Sequence, residues 1–244
     1  VGYGGTSTSL AFDAQGNPHI AYRGYPNGDL KYASKSGGVW AIETADAVGL
    51  SSSLAIDALG NPHISYLEQY PGRLKYASKD AGVWTIEFAD PYVNANSITS
   101  LALDPQGNPG IAYFDYLQGV LRYAWNRAGY WYSSVVDAGP NVGTSASMAF
   151  DASGHAFIAY LDAANSRLKL ANNSGGRWAI ETVNNGLAGS LALDALGEPH
   201  VSYYKNLNGN GDLGIANRTG DSWSTVRLQT QHWEGASAVL TDHL

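Results

Sequence analysis

Three acidic residues occupy one position of a recurring pattern: Glu68, Asp115 and Asp162 each stand two residues after a tyrosine, Tyr66, Tyr113 and Tyr160. A pair of carboxylates several ångströms apart is what glycoside hydrolysis needs, one as general acid and the other as base or nucleophile. The same oxygens suit a weak Ca²⁺ site. Gly24 and Lys205 fill the position in the other two copies. Arg23, Tyr25, Tyr70, Tyr116 and Tyr204 flank these acids, and Tyr92, Asn94, His232 and Trp233 come from a second set of connections. Aromatic rings beside carboxylates and amides suit carbohydrate: a ring covers a sugar's C–H face while polar groups take its hydroxyls. The same chemistry suits a protein partner.

Other chemistry is thin. His19, His63 and His200 share a position, each directly after the proline of a tight turn. Three ligand nitrogens must come within about 2 Å of one zinc ion, and equivalent turns of separate copies are too far apart, so these imidazoles are expected to bond turn carbonyls. Cysteine is absent, which removes disulfides and thiol chemistry. No G-x-S-x-G, P-loop or Rossmann phrase occurs. Neither cofactor nor metal is expected. Charged residues are 14% and the formal net charge is −7; with a pI near 5.2 this argues against nucleic acid or an anionic membrane as partner. No apolar run approaches the ~18–20 residues of a membrane-spanning helix.

The elements that position these residues repeat. A turn aspartate recurs at Asp13, Asp57, Asp104, Asp151 and Asp194, with steps of 44, 47, 47 and 43. A tryptophan recurs in register at Trp40, Trp84, Trp131, Trp178 and Trp223, and a tyrosine at Tyr22, Tyr66, Tyr113, Tyr160 and Tyr203. The copies span about 7–46, 51–90, 98–137, 145–184 and 188–229.

Each copy contains four short segments of alternating character separated by Gly, Asn, Asp and Pro, which reads as four strands. In the second copy the bulky set is Leu54, Ile56, Ile64, Tyr66, Leu74, Tyr76, Trp84 and Ile86, and the small set Ser53, Ala55, Ser65 and Ala77. A sheet with one wet face carries charge there; small residues instead imply burial on both sides. The expected fold is all-β, a five-bladed β-propeller of four-stranded antiparallel blades.

The phrase SLAIDALGNPHISY, residues 53–66, resembles the repeats of NHL-type and related bacterial extracellular propellers, in which an inner strand ends in D-x-x-G-N. The turn Ser78–Trp84 resembles a shortened Asp-box of sialidase-like propellers. The resemblance implies that the first strand of each copy lines the central channel. It also implies that five-bladed glycoside hydrolases carry their acids on those strands. Here the inner strands read SLAF, SLAI, SLAL, SMAF and SLAL, without an acid before the turn aspartate.

The first-to-second and third-to-fourth turns are short and uniform, whereas the other connections vary. In a repeat protein, what differs between copies is the better place for a site. The expectation is therefore a noncatalytic propeller, not an enzyme, binding glycan or a protein partner through Arg23, Tyr25, Glu68, Tyr70, Tyr92, Asp115, Tyr116, Asp162, Tyr204 and Trp233. The alternatives are a structural or assembly module of a larger extracellular protein, an engineered repeat scaffold, and a glycoside hydrolase. Extracellular or cell-surface location fits the low charge and abundant Gly, Ser, Asn and Tyr. Val1 reads as the start of a mature chain or an excised fragment. Residues 236–242 look like the first strand of a sixth copy, serving ring closure, left from a longer array, or mediating self-association; a closed ring is the favoured expectation.

Overall fold

A computed structural model of the chain describes residues 6–68, 72–207 and 210–229. Tyr70, His232, Trp233 and the strand expected at 236–242 lie outside the described residues. Among those described, twenty strands form five four-stranded antiparallel sheets, each in chain order. Blade 1 holds β1 (Thr6–Phe12), β2 (Pro18–Arg23), β3 (Leu30–Ser36) and β4 (Val39–Asp46). Blade 2 holds β5 (Leu50–Ile56), β6 (Pro62–Leu67), β7 (Leu74–Asp80) and β8 (Val83–Asp90). Blade 3 holds β9 (Ala95–Leu103), β10 (Pro109–Asp115), β11 (Val120–Arg127) and β12 (Tyr130–Asp137). Blade 4 holds β13 (Val142–Phe150), β14 (Ala156–Asp162), β15 (Arg167–Asn172) and β16 (Ala179–Asn184). Blade 5 holds β17 (Leu187–Leu193), β18 (Pro199–Leu207), β19 (Asn210–Thr219) and β20 (Ser222–Gln229).

The uniform turns are built by their aspartates. Asp57 Oδ1 accepts the N–H groups of Leu59 and Asn61 at 2.9 and 2.7 Å, and Gly60, at φ +86°, donates to the Asp57 carbonyl. The same bonds recur at Asp13, Asp104, Asp151 and Asp194. They fix each first-to-second hairpin and hence its register. The imidazoles of His19 and His63 bond the Tyr32 and Tyr76 hydroxyls, and His200 bonds Asn217. This corrects the expectation of carbonyl partners: the tyrosine one strand over is directly within reach. Among the described residues no group of three His, Cys, Asp or Glu side chains gathers as a metal site.

The interior lies between blades rather than within them. Ala21, Leu30 and Tyr32 of blade 1 pack with Leu54, Ile64, Tyr66 and Trp84 of blade 2, and equivalent sets fill the next three junctions. One assignment of faces needs correction. Leu74 and Tyr76 do not share a face with Leu54 and Tyr66; they point forward, onto blade 3. The register explains it, since Tyr76 pairs with Ser65 while Ala77 pairs with Ile64, and directly paired residues share a face. Each junction therefore interlocks bulky residues of a third strand with bulky residues of the next blade's first, second and fourth strands.

Close to the axis, one serine per blade joins it to the next. The Oγ atoms of Ser9, Ser53, Ser100 and Ser147 each accept the backbone N–H of the following blade's inner strand, from Leu54, Leu101, Met148 and Leu191, all at 3.0 Å. The recurrent inner-strand serine is thus a staple. The strand expected to close the ring lies outside the described residues, so the contrast in exposure concerns the described blades alone. Leu54, Leu101, Met148 and Leu191 are buried at 6–7% exposure, but Leu10 stands 57% exposed, and among the described residues the strands of blade 5 do not pack on blade 1 as each other blade packs on its successor.

Candidate functional site

The variable connections do lie together. Second-to-third and fourth-to-first loops bond one another through Gly49 N–H to Gly28 O, Ala95 N–H to Gly72 O, Val142 N–H to Gly119 O and Tyr116 N–H to Asn94 O. The acids placed there are occupied within their own loops. Glu68 accepts from Arg73 Nε. Asp115, buried, accepts the N–H groups of Leu117 and Gln118. Asp162, also buried, accepts from Asn165 and pairs with Lys169 at 3.0 Å. Burial works against ionisation of Asp162, but the bonds from Asn165 and Lys169 outweigh it and hold its pKa below the usual carboxylate range. Tyr25, Tyr92 and Tyr116 are exposed. Arg23 lies against Gly28, and Tyr204 lines the axial cavity instead of the rim.

Behind this rim runs a clamp that the sequence pattern did not reveal. The last aspartate of one blade's fourth strand accepts from two side chains of the next blade. Tyr66 donates to Asp46 at 2.6 Å, Tyr113 to Asp90 at 2.6 Å and Tyr160 to Asp137 at 2.7 Å. Lys75, Arg122 and Lys169 pair with the same three carboxylates. Burial pushes the Tyr66, Tyr113 and Tyr160 hydroxyls well above their ordinary value, and the adjacent carboxylates add to it. For Asp46, burial is outweighed by the bonds from Lys75 and Tyr66, so its pKa is lowered. The marker tyrosine is thus a junction residue, and its recurrence is structural.

Cavities of two kinds lie among the described residues. The axial one, about 510 Å³, is walled by inner-strand hydroxyls, including Thr8, Ser52, Thr99 and Ser145, with Tyr203 and Tyr204. The serines of the staples are already committed to backbone donors. The second kind lies at the junction of blades 3 and 4, toward the uniform turns. Cavities of about 330 and 190 Å³ are both walled by Tyr123 and Trp125. Tyr123 and Trp125 stack with centroids 5.3 Å apart at 12°, Trp125 and Tyr132 stack at 5.7 Å and 22°, and Trp178 meets Tyr123 edge-on at 5.4 Å. Polar groups ring them: Gln106, Asn108, Asn126 and Arg127 in the larger cavity, Ser134 and Asn173 in the smaller. Tyr132 is 49% exposed.

This aromatic run belongs to blade 3 alone. Trp125 replaces Ser34 and Ser78 of blades 1 and 2, and Gly110 replaces His19 and His63. A Cβ at position 110 would lie 2.6 Å from Phe150 and 2.9 Å from the Tyr123 hydroxyl, so only glycine admits the neighbouring blade's ring there. Looking for differences only in loops missed these residues. The signal was present in the strands, as departures from positions that the other copies keep small or polar.

No protein-family profile matches the chain, and no curated protein matches its sequence. Solved structures do match in fold. An ulvan lyase of a polysaccharide lyase family, bound to -[GlcA(1-4)Rha3S]-, superposes with a TM-score of 0.63 at 14% identity, over 92% of this chain and 72% of that one. TolB from Acinetobacter baumannii gives 0.59 at 16% identity, over 92% and 55%. A GH43 β-1,3-galactosidase with galactodeoxynojirimycin gives 0.58 at 9% identity, over 96% of each chain. At these identities the likeness shows the fold: this chain is a β-propeller, and the narrower NHL-type and Asp-box resemblances are not carried further. The expectation of a protein that is not an enzyme is corrected, because two of these three neighbours are enzymes and the architecture gives no ground for excluding catalysis. No helix among the described residues is long and apolar enough to cross a membrane.

Proposed function

We propose that this protein binds glycan, and that the cleft at the junction of blades 3 and 4 is where it does so. The run of Tyr123, Trp125 and Tyr132 carries the reading. It offers aromatic surface for a sugar's C–H face, and amides, a hydroxyl and the Arg127 guanidinium surround it for sugar hydroxyls or an acidic substituent. Among the described residues no side-chain hydrogen bond engages Gln106 or Arg127, which leaves both facing the cavity for a ligand. Solved structures of this fold that hold a saccharide or an iminosugar support the ligand class. The exposed Tyr25, Tyr92 and Tyr116 extend similar chemistry to the opposite face, where a protein partner is the competing occupant. An extracellular or cell-surface setting fits both ligands.

The test is a glycan array followed by titration of the bound sugar. Trp125→Ala and Tyr132→Ala should each weaken binding by about tenfold or more, since a stacked ring contributes on the order of 0.5–1.5 kcal/mol beyond its buried area. Tyr132, half in solvent, serves as the variant least able to disturb the fold. Tyr116→Ala should leave this site unchanged. Silence across sugars, or equal affinity in all variants, would sink the proposal. A turnover assay on the bound glycan reads whether recognition is joined to cleavage.

A further inference from the structure

The pattern that joins one blade to the next stops at both ends of the array, and each end shows one half of it. On the first blade, Leu10 is 57% and Phe12 58% exposed, and Trp40 is 42% exposed. The corresponding rows of the later blades are covered by the blade before. Among the described residues no staple hydroxyl receives the Leu10 N–H. Lys31, whose counterparts Lys75, Arg122 and Lys169 reach an acid of the preceding blade, bonds Asp29 and Thr44 of its own blade instead. On the fifth blade the complementary half is open. Leu228 is 57% exposed where Ala89, Val136 and Val183 are buried, and among the described residues Ser190 Oγ, the next staple hydroxyl in the series, receives no N–H from a following blade. Leu213 is only partly buried, whereas Leu30, Leu74, Leu121 and Leu168 are fully buried.

We propose that these faces are the two halves of a fifth blade-to-blade junction, and that a second copy of this chain completes it, its blade 5 seating on the blade 1 of its neighbour. Both halves are present in one chain and repeat, position by position, the apolar row, the staple and the cation of the four internal junctions. Among the described residues they do not pack on each other as the four internal junctions do. Open sheet faces with this much apolar surface are what association covers. The contact is heterologous, head to tail, so it closes into a larger ring or runs on as a filament. It is independent of the glycan reading.

Sedimentation velocity on the full chain over a wide concentration series tests this. The expected result is a species of at least twice the 25.9 kDa chain mass. Leu10→Asp blocks one face and Leu228→Asp the other. Each side chain is in solvent within the chain, so both variants should melt like the parent. Each alone should be monomeric. Mixed, they should form a one-to-one heterodimer, because one intact face remains on each partner. A parent that stays monomeric at every concentration, variants that still associate alone, or a mixture that stays monomeric would each overturn the proposal. Association abolished by truncation before Ala236 but untouched by Leu10→Asp would also overturn it.

Discussion

Replacing Asp46 with alanine should cost about 2–4 kcal/mol of stability, between the ranges for an exposed pair and for one partner of a fully buried ion pair. The carboxylate accepts from Tyr66 at 2.6 Å and pairs with Lys75, a residue 8% exposed, so its loss leaves a hydroxyl and an ammonium without their acceptor inside the junction of blades 1 and 2. The double variant Asp46→Ala/Lys75→Met should regain most of the loss, because apolar replacement of both partners avoids the uncompensated charge. Urea unfolding of the parent, both single variants and the double variant gives the cycle. A loss under about 1 kcal/mol for Asp46→Ala, the range of exposed pairs, would mean that the clamp is solvated and not structural. The clamp also sets a pH dependence. Asp46 and Asp137 have folded pKa values below their unfolded ones. Their contribution is fully present above the unfolded carboxylate value of about 3.9 and is lost as pH falls through the lower folded values. The parent should therefore weaken below about pH 4, and Asp46→Ala should show a flatter profile in that window.

The second large effect is a contrast between two tryptophans that repeat symmetry makes equivalent. Trp84 packs edge-on against Tyr32 of the preceding blade with centroids 5.4 Å apart, inside the first junction. Trp84→Ala should cost about 3–5 kcal/mol. Trp40 has no preceding blade and is 42% exposed, so Trp40→Ala should cost about 1 kcal/mol or less in the monomer. The Trp84 indole N–H is buried without a protein acceptor. Trp84→Phe should therefore be mild, since it removes an unpaired donor along with some packing. Thermal unfolding of the three variants side by side decides the matter. Equal losses for Trp40→Ala and Trp84→Ala would show that blade 1 is covered as the others are.

The blade count and the strand order were legible because Asp, Tyr and Trp recur in register, and each has a separate job: a turn, a clamp and a junction. The face of the third strand was not legible. Grouping Leu74 and Tyr76 with Leu54 followed size, whereas pairing through the hairpin sets Tyr76 beside Ser65. The partners of the acids were not legible for a different reason. Asp115 and Asp162 sit at strand ends where converging N–H groups of tight loops take up their oxygens, a local geometry that residue type alone does not disclose. The aromatic cleft was hidden in strands taken to be scaffold, although Gly110 and Trp125 each break a repeated position.

The local links between blades have a consequence for how the molecule comes apart. Adjacent blades share side-chain packing, the carboxylate clamp, single loop-to-loop bonds and a few hydroxyl bonds near the axis, with no backbone ladder running from sheet to sheet. Such a chain of nearest-neighbour couplings behaves as a row of dominoes and not as a hoop. Amide exchange should then be slowest in the middle blade and faster toward either flank, so that the stacked rings of blade 3 outlast damage at the extremities.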